Sequence, residues 1–496
     1  MRLGLVGLAL LAIVAAPLAA QDAGPGTGGI ARLAQEARYL DNWRRVLVIG
    51  AHPDDEDTEL ITILSRGEGI ETAYLSLTRG EGGQNLIGNE LGPGLGIVRS
   101  EELLAARRLD GGQQFFTRAF DFGFSKSPEE TFRFWPRDSV LKDVVRVIRR
   151  FRPQVIVSVW SGTARDGHGH HQASGLLARE AFEAAGDAAR FPELAQEEGL
   201  AAWQPAKLYR RWGVAVGEGL TLDGGRLDPA VGQSLHQIAM RSRSRHRSQD
   251  MGQLEDPGPS RTNVLLVATS AAVAPGPDTA LFAGIPPAVP APSPRADALE
   301  LGRRGVISDA YTERVDVVRG QSVPVQVVAW NAGARPVVLE TVALDLPSGL
   351  VRDGAGDCPF GAVLAPGALI RCTVPLRVED DAEPSQPYYL RRPLDGALYH
   401  WQAVPPALRG LPFAAPLTAR LAWQLDDDVR AEARVAVLAR RLDQGLGEVR
   451  APLAIVPRIV LGIAPARFLW PAGVRHRTIE VSVEHTASDS TRADVR

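Results

Sequence analysis

Between residues 45 and 211, short and wholly apolar runs alternate with longer segments of helical period, and few folds accept that pattern. Val46-Leu47-Val48-Ile49 is closed by Gly50, and an unbroken apolar run of this length predicts a strand buried on both faces. Residues 59–66 then read as helix, 70–77 as strand, and 98–109 and 139–151 as helices, the last stopped by Pro153. Residues 154–160 repeat the buried-strand signal and 172–185 the helical one. The alternation predicts a Rossmann-like α/β domain: a parallel sheet with helices on both faces.

Beyond Asp256 the texture changes. Pro286-Pro287-Ala288-Val289-Pro290-Ala291-Pro292-Ser293-Pro294 reads as an extended, semi-rigid spacer, and residues 286–304 are taken as the linker that closes an α/β domain spanning 30–285. Period-two alternation follows in Val323, Val325 and Val327 and again in Ile479, Val481 and Val483. It predicts C-terminal β-sandwich domains of Ig-like type, one over residues 305–404 and a second over 411–496 that ends without a closing element. Cys358 and Cys372 are the only cysteines, fourteen positions apart in a turn-rich stretch. They read as a disulfide, or else as two free buried thiols.

The N-terminus bears on compartment. Met1 and Arg2 precede an apolar run that ends in Pro17-Leu18-Ala19-Ala20. That layout predicts a signal peptide over residues 1–20, because the run is shorter than the ~20 residues a spanning helix needs. The mature chain is expected to be secreted or periplasmic, with no transmembrane helix once the signal is removed. A net charge of −3 on 496 residues offers no basic field for nucleic acid. Of the 55 Lys+Arg residues only Lys126, Lys142 and Lys207 are lysines, so a cluster of arginines is weak evidence for an anion site.

Chemistry concentrates at two strand-to-helix junctions. The first strand runs into Ala51-His52-Pro53-Asp54-Asp55-Glu56-Asp57, and the strand at 154–160 into Asp166-Gly167-His168-Gly169-His170-His171. Open α/β sheets present ligands at the carboxyl ends of their strands, and four of the nine histidines sit in these two short segments. Caps and dipole partners account for either segment alone. Together they predict a metal site built from His52, Asp55 and a histidine of the second loop, suited to zinc, or to iron as the second choice. His246 is a further candidate for lining the site, while His236, His400, His476 and His485 are scattered.

The two motifs resemble those of the PIG-L/LmbE family of zinc-dependent de-N-acetylases, over residues 45–285. The resemblance implies His52, Asp55 and His171 as metal ligands for one Zn2+ per catalytic domain, with another divalent ion such as Fe2+ as the alternative. It implies Asp54 as general base and a protonated His168 as the group that stabilises the oxyanion. Arg99, in an Arg-x-x-Glu helix with Glu102, and Glu81, in Thr78-Arg79-Gly80-Glu81-Gly82-Gly83, would bind substrate; an exposed helical ion pair and a plain flexible turn account for the same residues. One departure stands out: family members often carry Asp where this chain has His170, which leaves the support of His168 open.

The function implied is removal of an N-acetyl group from an N-acetylglucosamine-type sugar or glycoconjugate, giving acetate and a free amine, with the β domains as candidates for glycan contact. The rival readings are a zinc amidase or peptidase on cell-wall material and a catalytically idle exported carbohydrate-binding protein. The absence of HExxH, with the base lying inside His-x-x-Asp, favours deacetylation.

Overall fold

The computed structural model describes residues 29–40, 42–215, 217–289, 294–426, 428–464, 470–487 and 490. The expected signal peptide lies outside them. Two compact units emerge, one formed mainly by Ala23–Leu299 with Gln386–Ala414 and the other by Glu300–Ser385 with Ala415–Arg496.

The first unit is built on a seven-stranded mixed sheet. Helix α1 (Gly29–Tyr39) precedes β1 (Arg45–Gly50), and α2 (Thr58–Thr62) leads to β2 (Glu71–Ser76). Helix α3 (Pro93–Asp110) and β3 (Gln113–Phe116) follow, then α4 (Pro128–Phe134), α5 (Arg137–Phe151) and β4 (Val155–Ser158). Next come α6 (Gly169–Ala184), α7 (Glu193–Glu198), β5 (Lys207–Arg210) and β6 (Leu220–Asp223). A small ladder of β7 (Leu227–Asp228) with β8 (Gln233–Ser234), α8 (Leu235–Arg243) and β9 (Arg261–Thr269) complete the set.

The strands lie in the order β3-β2-β1-β4-β5-β9-β6. The first five are parallel, and β9 runs antiparallel to both β5 and β6. The order reverses between β1 and β4, the switch point where doubly wound sheets open a crevice. Both candidate metal loops leave the sheet there. Strand β1 shows why an unbroken apolar run is needed: Leu47 and Ile49 enter one core with α5 and α6, while Val46 and Val48 enter a second core with α2 and Leu103 of α3.

Gly50 ends β1 under a tight constraint. A Cβ there would collide with the Tyr74 hydroxyl, which donates a 2.6 Å hydrogen bond to the His52 carbonyl. The turn that aims His52 thus depends on a residue without a side chain.

The second unit holds a six-stranded and a four-stranded sheet. In spatial order the first comprises Leu350–Arg352, Leu369–Val378, Ser322–Asn331, Val306–Thr312, Leu438–Asp443 and Gly447–Pro452. The second comprises Ala362–Leu364, Val337–Asp345, Thr418–Gln424 and Arg430–Ala436. Val323, Val325 and Val327 of one sheet share a core with Leu339, Leu421 and Trp423 of the other. Cys358 and Cys372 are disulfide-bonded.

Three boundaries differ from the sequence reading. Strands expected in separate domains over 305–404 and 411–496 pair with each other, Val337–Asp345 with Thr418–Gln424 and Val306–Thr312 with Leu438–Asp443; alternation reports which face a strand buries, not which strand it pairs with. Residues 294–304 of the expected linker form helix α9 (Pro294–Arg304), with Pro294 at a first-turn position where its missing N–H costs nothing. Gln386–Ala414 belongs to the first unit.

Candidate metal centre

The first junction is shaped by Asp55. Its Oδ2 accepts hydrogen bonds from the backbone N–H groups of Ala51 (2.8 Å) and His52 (2.9 Å) and from Trp160 Nε1 (2.8 Å). With that oxygen engaged, Oδ1 faces His171 Nε2 at 3.5 Å. Burial pushes the Asp55 carboxyl up, but His171 and His52 beside it prevail and hold it well below the usual carboxylate range. It is therefore a charged ligand at neutral pH.

The second junction fixes His171. Its Nδ1 lies 3.2 Å from the Asp166 carbonyl, which assigns the ring proton to Nδ1 and leaves Nε2 as a bare donor. Trp160 stacks on the ring at 3.7 Å and 7°. His52 completes the set, with Nδ1 3.6 Å from Asp55 Oδ2. One donor atom from each of His52, Asp55 and His171 lies within 4.8 Å of the others. Two imidazoles and one carboxylate at this spacing fit a divalent ion with an open coordination position. His52, His168 and His170 form a second grouping at the same spacing, one that shares His52.

Asp54 occupies a strained turn. Its φ is 108°, a conformation that L side chains rarely adopt and that clusters at functional sites. Its Oδ1 sits 3.2 Å from Arg99 Nη2. Burial raises its pKa, opposed by Arg99. Arg99 is itself buried and donates to the Gly80 carbonyl (3.0 Å) and to the Pro53 carbonyl. In place of the exposed ion pair considered for it, Arg99 makes a buried contact with Asp54. Glu102 instead accepts from the backbone N–H and the hydroxyl of Ser248.

His168 caps α6 and stacks on His52 with ring centroids 5.2 Å apart. Burial, then the His52 and His171 imidazoles, lower its pKa to about 4, so the protonated form expected from the family needs a further negative group beside the ring, such as a developing oxyanion. Its Nδ1 lies 3.1 Å from the Ser125 carbonyl, closer than the His170 N–H at 3.4 Å, which places the proton of the neutral ring on Nδ1. His170 supports a different partner from the one the family pattern suggests: its Nδ1 is 3.1 Å from His52 Nε2. The ring is buried against Trp135 (4.2 Å) and Phe122 (4.5 Å), and its pKa is driven far below the ordinary value by burial and then by neighbouring imidazoles.

Glu81 is not free to meet a ligand. It accepts from the Asp121 N–H (3.0 Å) and the Tyr399 hydroxyl (2.6 Å), and burial raises its pKa to about 7. His246 is buried with Nε2 2.7 Å from Glu56 Oε1, inside the scaffold. Sequence reasoning missed Asp121, whose carboxylate lies 3.8 Å from His52 Nε2 and 3.7 Å from His170 Nδ1. It also missed Arg243, which donates to the carbonyls of Asp54 and Glu56, and Trp160. A signal existed only for Asp121, which follows the end of β3 on the ligand-bearing edge. Phe124, 73% exposed and stacked on His168 at 5.1 Å, and Trp212, 51% exposed and 5.3 Å from Trp160, flank the cluster.

Residues 47–182 match the PIG-L family model, described as GlcNAc-PI de-N-acetylase. The chain is 30% identical over 182 residues to a mycothiol S-conjugate amidase of Streptomyces coelicolor, covering 34% of this chain and 61% of the relative. It is 33% identical over 186 residues to a 1D-myo-inositol 2-acetamido-2-deoxy-alpha-D-glucopyranoside deacetylase of Geodermatophilus obscurus, covering 34% and 60%. It thus spans about three fifths of the length of the curated relatives it matches. Among solved structures, the N,N'-diacetylchitobiose deacetylase of Pyrococcus horikoshii aligns at 20% identity and a TM-score of 0.33, over 44% of this chain and 77% of that one.

Proposed function

We propose that the PIG-L domain at residues 47–182 makes this chain a metal-dependent de-N-acetylase acting on an N-acetylglucosamine-type sugar or glycoconjugate. The reading rests on the convergence of His52, Asp55 and His171 beside Asp54 on its strained turn. The relatives' names, a deacetylase of an acetamido-deoxy-glucopyranoside and an amidase, both describe amide hydrolysis.

His52, Asp55 and His171 would hold the ion, with zinc the first choice for this donor set and Fe2+ the second. Bound there, it supplies Lewis-acid polarisation of the acetamide carbonyl and a lowered pKa for water. Asp54, held by Arg99, takes the proton from the attacking water and returns it to the departing amine. His168, held through Nδ1 by the Ser125 carbonyl, donates from Nε2 to the oxyanion of the tetrahedral intermediate in its protonated form; such a donor is worth roughly 3 to 4 kcal/mol elsewhere. Water adds, the C–N bond breaks, and acetate and amine leave.

The exposed rings of Phe124 and Trp212 favour a sugar over a peptide, because flat apolar faces beside the reacting group suit a pyranose. We assign the chain to an exported compartment and its two-sheet unit to an Ig-like sandwich able to contact glycan. The test is acetate and amine release from a panel of N-acetylated sugars and short peptides, run beside metal analysis. A metal-loaded chain that releases acetate from no sugar refutes the reading, and release from peptides alone moves it to the amidase alternative.

A further inference from the structure

The segment Gln386–Ala414 returns to the first unit far beyond the region that matches the family, and it does so against the loops that carry the candidate centre. Phe120 N–H donates to the Ala397 carbonyl (2.9 Å) and Tyr399 N–H to the Arg118 carbonyl (2.7 Å), around an antiparallel bridge of Ala119 with Leu398. The loop leaving β3 is thereby held like an edge strand. The same segment braces the loop leaving β2. The Arg79 guanidinium lies between the rings of Phe116 (4.1 Å) and Tyr389 (3.6 Å) and donates to the carbonyls of Leu411 and Pro412.

These two braces meet at one carboxylate. The Tyr399 hydroxyl donates to Glu81 Oε1 (2.6 Å), and Glu81 Oε2 accepts from the Asp121 N–H (3.0 Å). The Asp121 side chain faces His52 Nε2 and His170 Nδ1 at 3.8 and 3.7 Å. Outer partners of metal-binding histidines fix ring orientation and tautomer, and their loss typically weakens metal binding 10- to 100-fold.

We propose that Gln386–Ala414 is a built-in support of the metal centre, with Tyr399 as the positioning residue that acts on His52 through Glu81 and Asp121. The segment Gln386–Ala414 is then part of the hydrolytic apparatus, not an appendage to it. The inference rests on the metal-centre reading above.

The test uses the full chain and Zn2+ as probe, with affinity read by chelator competition and folding by thermal melting. Tyr399→Phe keeps the ring and removes the donor, and it should weaken Zn2+ binding about tenfold. Trp401→Ala is the control for packing. Trp401 is buried in the same aromatic cluster but its indole N–H makes no hydrogen bond to Glu81, so its loss should lower the melting temperature and leave Zn2+ affinity within twofold. If Tyr399→Phe does not fold, Glu81→Gln carries the test, since an amide keeps one acceptor oxygen where the carboxylate offers two and cannot accept from both the Tyr399 hydroxyl and the Asp121 N–H. A Tyr399→Phe or Glu81→Gln chain that binds Zn2+ as tightly as wild type overturns the inference alone, and so does a Trp401→Ala chain as weak as Tyr399→Phe. A wild-type chain that takes up no Zn2+ overturns the metal centre and this inference with it.

Discussion

The Asp54 carboxylate lies 3.2 Å from the Arg99 guanidinium, and both side chains are largely withdrawn from water. Arg99 also holds the carbonyls of Pro53 and Gly80, so one cation fixes both the backbone and the charge of the assigned base. A Cβ on Gly80 would collide with that guanidinium, which explains a glycine in the loop after β2. Asp54→Asn should therefore retain metal and lose roughly 10²- to 10⁴-fold in turnover, the usual contribution of general acid–base catalysis. Arg99→Leu should reproduce most of that loss. Acetate release measured beside metal content decides it, and an Asp54→Asn chain within tenfold of wild type removes Asp54 from the role.

Metal and folding should be linked. An ion that binds only the native chain stabilises it by about 2.7 kcal/mol when present at a hundred times its dissociation constant. Zn2+ should raise the melting temperature of the wild-type first unit, chelator should reverse the rise, and His171→Ala should abolish it. His171 presents Nε2 toward Asp55, so its loss removes a donor with no neighbour to replace it in that position. Equal zinc shifts in the two chains would exclude His171 as a ligand.

The legible part of this protein was the part written locally. Strand β1 and the two junction loops are continuous stretches whose apolar run, glycine and ligand spacing sit side by side, so the parallel sheet and a site of His52, Asp55 and a histidine of the second loop follow from sequence, the choice of His171 among the three being what the family resemblance implies. Asp121 and Tyr399 were not legible, because a lone acid in a loop and a tyrosine far along the chain acquire meaning only when tertiary packing brings them to His52 and Glu81. Arg99 and Glu81 were singled out for ligand contact, yet both are buried. A motif fixes residue type and position in the loop but not whether the side chain turns outward. The pairing of Val337–Asp345 with Thr418–Gln424 failed for the same reason, since both partners carry the same period-two pattern.

Glu81 predicts a pH dependence of stability. Burial raises its pKa from 4.5 to about 7, so between these values the native chain keeps a proton that the unfolded chain releases. Its contribution is fully present below pH 4.5 and is lost as pH rises through about 7, by about 3 kcal/mol at 1.36 kcal/mol per pH unit. Glu81→Gln has no proton to lose. The difference in unfolding free energy between Glu81→Gln and wild type should move in favour of the variant by about this amount from pH 4.5 to pH 7.5. A difference that does not change with pH would mean that Glu81 ionises as freely in the folded chain as in water.

The contact of His52 Nε2 with His170 Nδ1 at 3.1 Å sets the last expectation. When His52 binds through Nδ1, its Nε2 carries the proton and His170 Nδ1 must accept it, which places the His170 proton on Nε2. That nitrogen has no hydrogen-bond partner and lies in the cage of Trp135 and Phe122. An acceptor whose own donor goes unsatisfied bears a cost of about 1 to 3 kcal/mol, and such a cost persists where the support of a ligand repays it. His170→Ala should then weaken Zn2+ binding 10- to 100-fold while relieving the unpaired donor, so the metal-free chain should lose less stability than the truncation of a buried ring normally takes, about 3 to 5 kcal/mol for an aromatic. Chelator competition and apo-protein unfolding separate the two effects. Unchanged Zn2+ affinity in His170→Ala would leave Asp121 as the sole outer partner of His52 on this side.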